Sequence, residues 1–400
     1  MPGVRQVSRE ATMDTSRSEE YPLDPFPHYA HMRSAAPVLR DEQTGSWHVF
    51  RYDDVQRVLS EHATFSSRIG GDNSSGSGQL FASSLITTDP PRHRQLRSLV
   101  TQAFTPKAVD ALAPRIAELA NGLLDEFTAA GSADLIRELA YPLPVIVISE
   151  LLGIPAEDRG RFKHWSDVIV SQTRTGPANT EQDSTTSEMV GYFLALIDAR
   201  RNRPGKDLIS TLLAAEIDGQ RLTVPELLGF CSLLLVAGNE TTTNLIGNAV
   251  LCLAESPRTL GRVLEDPSLL PQTLEEVLRF RSPVQSMYRV TAVETTLGGK
   301  TLPAGAPVVA WIGSANRDER QFERPAEFDV DRAQNRHLAF GHGIHFCLGA
   351  PLARLEAKIA MEVLLSRLPG LSVAPGTQLE RMHSSIVYGL KTLPVTWNAP

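Results

Sequence analysis

The sequence predicts a mainly α-helical fold with small β-sheets. Helical apolar periodicity runs through most of the chain from about residue 106 to residue 280. Strand-like alternation is confined to the beginning of the chain and its last third. No internal repeat, domain linker or regular strand–helix alternation appears, so a doubly wound sheet is not expected. Residues 1–20 are polar and are expected to form a disordered tail, leaving residues 21–400 as a single domain.

Composition narrows the function classes. Of 400 residues, 42% are hydrophobic and 21% charged, which is enough to bury a large core. A net charge of -7 with no dense basic tract argues against a nucleic-acid partner. Cys231, Cys252 and Cys347 stand at unrelated spacings, giving neither a disulfide framework nor a zinc pattern. A reducing, cytoplasmic compartment fits that cysteine usage. The opening residues 1–6 lack an apolar core, so neither a signal peptide nor an anchor is expected. The apolar segments 142–154 and 227–238 are too short to span a bilayer, and no membrane association is expected.

In chain order, Pro22, Pro25 and Pro27 lead into a short helix over 28–35. Residues 47–52 read as a strand, and Asp53 as the N-cap of a helix reaching Ser60. Residues 66–84 form a Ser/Gly-rich loop with apolar members Ile69, Leu80, Phe81, Leu85 and Ile86. Such a loop suits either a lid over an apolar ligand or a solvated flexible segment. After Pro90 and Pro91, a helix sets His93 and Arg97 four apart on one face. The pair suits an anion, or is simply a basic helix face. Amphipathic helices follow over 106–129, 143–152 and 155–170. A polar loop over 171–187 then precedes a helix reaching Arg201.

Residues 223–255 are the longest helical candidate, opened by the capping-box pattern Thr223-Val224-Pro225-Glu226. Inside it lies Ala237-Gly238-Asn239-Glu240-Thr241-Thr242-Thr243-Asn244, a run of poor helix formers carrying a charge into an apolar element. Local rules broken there mark either a functional site or the end of the helix in a polar loop. Ala237 and Gly238 leave room for a flat group. Thr241 can bond a backbone carbonyl, or instead a ligand or water. A further helix over 271–280 carries Glu275, Glu276 and Arg279. Strands are expected over 283–290 and 301–311, with a turn at Leu297-Gly298-Gly299-Lys300 between them.

The most informative stretch is Phe340-Gly341-His342-Gly343-Ile344-His345-Phe346-Cys347-Leu348-Gly349, followed by a strong helix former from Ala350. Glycines at this density let backbone pass close to a large flat object. A thiol at a helix N-terminus has its anion favoured by unpaired N–H groups. A buried structural cysteine beside a glycine turn is the plainer alternative.

The spacing F-G-x-G-x-H-x-C-x-G resembles the haem-binding loop of the cytochromes P450 and matches it throughout. A-G-x-E-T at Ala237 to Thr241, E-x-x-R at Glu276 to Arg279 and H-x-x-x-R at His93 to Arg97 are similar to further motifs of that family, in its order, over residues 24–396. The chain is identified as a member of that family, resembling its bacterial branch acting on fatty acids, terpenoids, steroids and macrolides. The resemblance implies a triangular helical prism with haem b (iron protoporphyrin IX) between the long helix and the cysteine loop. Cys347 would ligate the iron. His93, Arg97, Arg289 and His345 would hold the propionates, and Ala237, Gly238, Phe340 and Gly341 would flank the ring. Glu240 and Thr241 would organise proton delivery, and Glu276, Arg279 and Arg332 would form a structural triad. The tail over 384–390 resembles a hairpin that dips into the substrate pocket.

The expected reaction inserts one atom of O2 into a C–H bond of a hydrophobic small molecule. Expected pocket walls are Ile69, Phe81, Leu85, Ile86, Leu234, Ala237, Val284, Met287, Ile386 and Val387, each of which equally suits ordinary core. With no G-x-G-x-x-G unit in the chain, NAD(P)H-derived electrons are expected from a separate ferredoxin and ferredoxin reductase. Arg92, Arg94, Arg336, Arg354 and Lys358 offer a docking patch, or ordinary solvated charge. A monomer is expected. The alternatives are a tailoring hydroxylase or epoxidase of a macrolide or other polyketide, a peroxide-driven peroxygenase, and a haem-binding sensor.

Overall fold

The computed structural model describes residues 24–68, 83–171, 180–217, 219–382 and 384–398. The expected N-terminal tail, Ile69 and Phe81 lie outside them. The helices and strands are α1 (Phe26–Ala35), β1 (Val38–Arg40), β2 (Trp47–Val49), α2 (Tyr52–Ser60), β3 (Phe65–Ser66), α3 (Arg92–Ala103), α4 (Pro106–Asp110), α5 (Ala113–Asp125) and β4 (Ser132–Asp134). Then come α6 (Pro142–Leu152), α7 (Arg159–Ser171), α8 (Thr180–Asn202), α9 (Leu208–Ala214), α10 (Val224–Ala254), α11 (Pro257–Glu265) and α12 (Leu270–Phe280). The last third holds β5 (Met287–Thr291), β6 (Thr295–Leu297), β7 (Lys300–Leu302), β8 (Pro307–Ala310), α13 (Ile312–Ala315), α14 (Ala350–Arg367), β9 (Ser372–Val373) and β10 (Pro394–Thr396). The fold is mainly helical with small sheets, as the sequence predicts.

Helix α10 is the axis. Thr223 accepts from the Glu226 N–H, and the Glu226 carboxylate accepts from the Thr223 N–H at 2.9 Å, closing the expected capping box. Its 31 residues span roughly 46 Å at a rise of 1.5 Å per residue. Every residue from Thr242 to Leu253 is buried, because α6, α7, α8, α12 and α14 pack around it. The run 237–244 is therefore continuous mid-helix, not a helix end.

The main sheet has the order β1-β2-β8-β5-β3, with β2 parallel to β8 and the other pairs antiparallel. Its register sets Met287 opposite Ala310, two residues before α13 begins. In a smaller sheet β10 lies between β4 and β9, and β6–β7 is a hairpin turning at Gly298 and Gly299.

Several boundaries differ from the sequence reading. Tyr52 already begins α2, with Arg51 as N-cap, because the Tyr52 N–H is held by the Asp318 carboxylate at 2.8 Å. The expected helix 106–129 is broken into α4 and α5, Pro114 lying in the first turn of the second where a missing N–H costs nothing. Helix α8 starts at Thr180, inside the expected polar loop, since Met189, Phe193 and Ile197 bury one stripe against the core. Among the described residues, no helix is long and apolar enough to cross a membrane.

Candidate active site

The cysteine loop is a tight reversal. The Cys347 N–H donates to the Phe340 carbonyl at 2.8 Å, while Gly341 and Gly343 take φ of 73° and 71°. Gly343 also meets α2: a Cβ there would stand 2.8 Å from Ser60 Cα, so only glycine lets the loop dock. Helix α14 begins at Ala350 with Pro351 in its first turn. Burial pushes the Cys347 thiol up, opposed by the N–H groups of Gly349 and Ala350 and by Arg97 and Arg354. The net direction is upward, so a thiolate there calls for a cation bound at the sulfur.

A cavity opens above the loop. Phe340, Gly341, Cys347, Leu348 and Gly349 line one side, and Leu234, Ala237, Gly238, Thr241 and Thr242 of α10 line another. Gly238 lets Ile148 of α6 close in, its Cδ1 3.0 Å from where a Cβ would sit. Leu85, Ile86, Val284 and Met287 line the walls, together with Phe104, Ile148, Phe230, Leu233 and Ile312, which the sequence does not single out. Those five come from elements whose packing no local pattern reveals. Ile386 and Val387 are not among the lining residues, contrary to expectation. Their turn is tied instead to the wall behind: Gln285 N–H donates to Ile386 O at 2.7 Å, and Val387 bridges Val284.

One edge of the cavity is cationic. Arg289 is 3% exposed and burial pushes its guanidinium down to about 10. Burial also lowers Arg97. Among the described residues neither forms an ion pair with a carboxylate. The rings of His93 and His345 lie 4.2 Å apart, and His345 Nε2 meets Ser67 Oγ at 2.9 Å. Burial, then Arg97, brings His93 to about 4; burial, then Arg289, brings His345 to about 3. Among the described residues, His93 Nε2 is buried without a hydrogen-bond partner. Desolvated cations with an orphaned imidazole are relieved by an anion. The two carboxylates of iron protoporphyrin IX, with Cys347 as the soft ligand for its iron, fit this donor set.

Thr241 lines the cavity, and its Oγ1 donates to the Ala237 carbonyl at 2.7 Å, so its proton is parked on the helix. Glu240 is placed differently from its neighbour. It is buried, does not line the cavity, and accepts from Asn244 Nδ2 at 3.1 Å.

Behind the loop, Glu276 is 1% exposed and Arg279 fully buried. Arg279 reaches both oxygens of Glu276 at 2.7 and 2.8 Å; Arg332 Nε adds contacts at 3.2 and 3.3 Å. The Asp329 N–H and Asn335 Nδ2 complete the carboxylate's shell at 2.9 and 3.2 Å. Glu275 faces the other way, to Arg354 and His337. Burial raises it, but the hydrogen bonds from Arg354 and His337 prevail and hold it at about 2. Three of the five expected docking cations are thereby engaged: Arg354 with Glu275, Arg92 with Glu226 and Lys358 with Glu362. Arg94 and Arg336 remain exposed, as does Phe346 at 41%.

Sequence reasoning missed Glu356. It lines the cavity and is buried, Oε1 has no partner, and desolvation pushes the carboxyl up to about 8. The signal was available: Leu352, Ile359 and Ala360 place Glu356 on the apolar face of its helix. Because the folded chain holds this proton more tightly than the unfolded chain, its contribution to stability is complete below about 4.5. It is lost as pH rises through about 8. Glu356→Gln is therefore expected to flatten the pH dependence of chemical unfolding between those values, by roughly 1 kcal/mol per pH unit. An unchanged slope contradicts the assignment.

The family model described as Cytochrome P450 matches residues 178–397. "Cytochrome P450 109" of Bacillus spizizenii is 45% identical over 390 residues, covering 96% of this chain and 94% of the relative. "Erythromycin C-12 hydroxylase" of Saccharopolyspora erythraea is 42% identical over 373 residues, covering 91% and 92%. Among solved structures, CYP109E1 from Bacillus megaterium in complex with testosterone superposes with a TM-score of 0.87 at 46% identity, covering 94% of this chain and 98% of that one. Similarity of this degree, carried from end to end of each relative, leaves one assignment: the chain belongs to the cytochrome P450 family of haem-dependent monooxygenases.

Proposed function

We propose that this chain inserts one oxygen atom of O2 into a C–H bond of a neutral, hydrophobic molecule of steroid or terpenoid size. The observation that carries this reading is that Cys347 and Thr241 line one apolar cavity.

Haem, when bound, supplies dioxygen activation and oxygen-atom transfer. The protein's part is to hold and to move protons. Cys347 Sγ is the iron ligand, with the N–H groups of Gly349 and Ala350 tempering its charge. Arg97, Arg289, His93 and His345 hold the two propionates. Rotation of Thr241 Oγ1 away from the Ala237 carbonyl delivers its hydrogen into the cavity, and the Glu240 carboxyl, which stands outside the cavity one residue back, resupplies it through intervening water. Apolar walls exclude water and orient the substrate. With both arginines committed to the cofactor, no other arginine and no lysine is left among the described lining residues for a substrate carboxylate.

Electrons come from NAD(P)H through a separate ferredoxin and its reductase. Arg94, Arg336 and Phe346 form the docking face.

The steroid reading draws support from the testosterone complex of CYP109E1. A second reading, macrolide tailoring, draws on the 42% identity to Erythromycin C-12 hydroxylase. Titrating the haem-loaded chain with steroids, terpenoids, fatty acids and macrolides separates them. A low-to-high-spin shift is expected at the lowest concentration of a neutral steroid or terpenoid. A shift with macrolides alone transfers the reaction to that class, and tightest binding by fatty acids contradicts the neutral-ligand assignment.

A further inference from the structure

Glu240, Asn244 and Asn248 form a buried polar stripe on α10, one turn apart, beside the cavity-facing Thr241. Asn248 Nδ2 donates to the carbonyls of Arg281 and Tyr388 at 3.0 and 3.3 Å, tying the C-terminal turn to the helix. The next residue of that turn, Gly389, lies against Asn244 so closely that a Cβ there would overlap the carboxamide. On its other side the turn is bound to the cavity wall: Tyr388 N–H donates to Pro283 O at 2.8 Å, and Val387 bridges Val284. Asn244 is thus wedged between the turn and the Glu240 carboxyl, to which its Nδ2 donates at 3.1 Å.

The other end of the same amide, Oδ1, is buried and has no hydrogen-bond partner among the described residues. A carboxamide is nearly symmetric in shape but not in function. With Nδ2 toward Glu240 it stabilises a carboxylate. Turned by half a revolution, it offers Oδ1 to the O–H of a carboxylic acid in the same place. A leucine would fill the volume and do neither.

We infer that Asn244 is a positioning residue for proton delivery, holding the Glu240 carboxyl in both of its protonation states, with Gly389 setting where Asn244 stands. This rests on the reading of Glu240 as the relay acid. It adds that the turn packed on the cavity wall is mechanically linked to that acid.

The test compares haem-loaded Glu240→Gln, Asn244→Leu, Gly389→Ala and Asn248→Leu with the parent. One readout is product formed per NAD(P)H consumed, alongside substrate affinity from the spin shift. The other needs no turnover: the infrared carboxyl band assigned to Glu240 by difference from Glu240→Gln. Asn244→Leu and Gly389→Ala are expected to lower coupling about tenfold, the effect of losing one hydrogen bond to a charged group. Both should move the infrared band while substrate affinity stays within about twofold. Asn248→Leu, which frees the turn that seats Asn244 while leaving the Asn244–Glu240 hydrogen bond itself in place, should move the band in the same sense but by less. Uncoupling in Glu240→Gln with parental coupling and band in Asn244→Leu overturns the inference while the relay stands. Parental coupling in Glu240→Gln overturns the relay itself; the infrared band then decides alone whether Asn244 holds Glu240. Because Gly389→Ala displaces Asn244 without removing it, a folding defect in Asn244→Leu does not stop the test.

Discussion

Glu276→Ala is expected to destabilise the folded chain by about 4 kcal/mol, the largest loss from any single substitution considered. The carboxylate is almost wholly buried and accepts from Arg279 twice, and from Arg332, Asn335 and the Asp329 N–H. Removing it strands a guanidinium with no exposed surface, left only with the carbonyls of Asn316, Pro325 and Glu327. A buried charge without its partner costs more than the pair was worth. The damage reaches the cysteine loop, because Asn316 Oδ1 also accepts from the Leu338 N–H at 2.6 Å. Glu276→Gln keeps the shape and loses the charge, and is expected to cost about half as much. Denaturant unfolding measures both. Glu327→Ala, which removes an exposed pair with Arg324, is the control and should fall within about 0.5 kcal/mol of the parent. If Glu276→Ala unfolds at the parental midpoint, the triad carries no structural weight.

Thr241→Ala is expected to move stability and chemistry in opposite directions. Threonine is a poorer helix former than alanine by a few tenths of a kcal/mol, and its hydroxyl here bonds back onto the helix at Ala237. The substitution should therefore leave the melting midpoint unchanged or slightly raised. Coupling of NAD(P)H oxidation to product should fall by about tenfold or more, with the missing electrons recovered as peroxide. Unchanged coupling removes Thr241 from the relay.

What was legible in the sequence was whatever is local. The cysteine loop is ten consecutive residues, and the left-handed backbone at Gly341 and Gly343 is set within the loop itself, although Gly343 also serves docking on α2. The capping box at Thr223 and the E-x-x-R pair each lie within one helical turn, so spacing alone reports them. Asn335 and the Asp329 N–H complete the Glu276 shell from more than fifty residues away, and no spacing announces them. The same holds for Phe104, Ile148 and Phe230, cavity walls that read as ordinary core. Ile386 and Val387 sit on a turn backbone-paired with residues 283–285 and are not among the cavity's lining residues; no spacing says which way an apolar turn faces. Glu240 and Thr241 are adjacent in sequence, yet one step of about 100° around a helix gives them different surroundings. Glu356 was visible as a charge on an apolar stripe; that it lacks a partner depends on everything packed around it.

The central claim is that Cys347 sulfur holds the haem iron across the cavity from Thr241. The most direct measurement is the absorption spectrum of the ferrous carbonyl complex of the purified haem-loaded chain, beside that of Cys347→Ser. The parent is predicted to show the strongly red-shifted Soret band of thiolate ligation, and the variant to lose it while keeping the helical circular dichroism of the fold. A parent spectrum without that band in freshly folded protein, or a variant that retains it, contradicts the assignment.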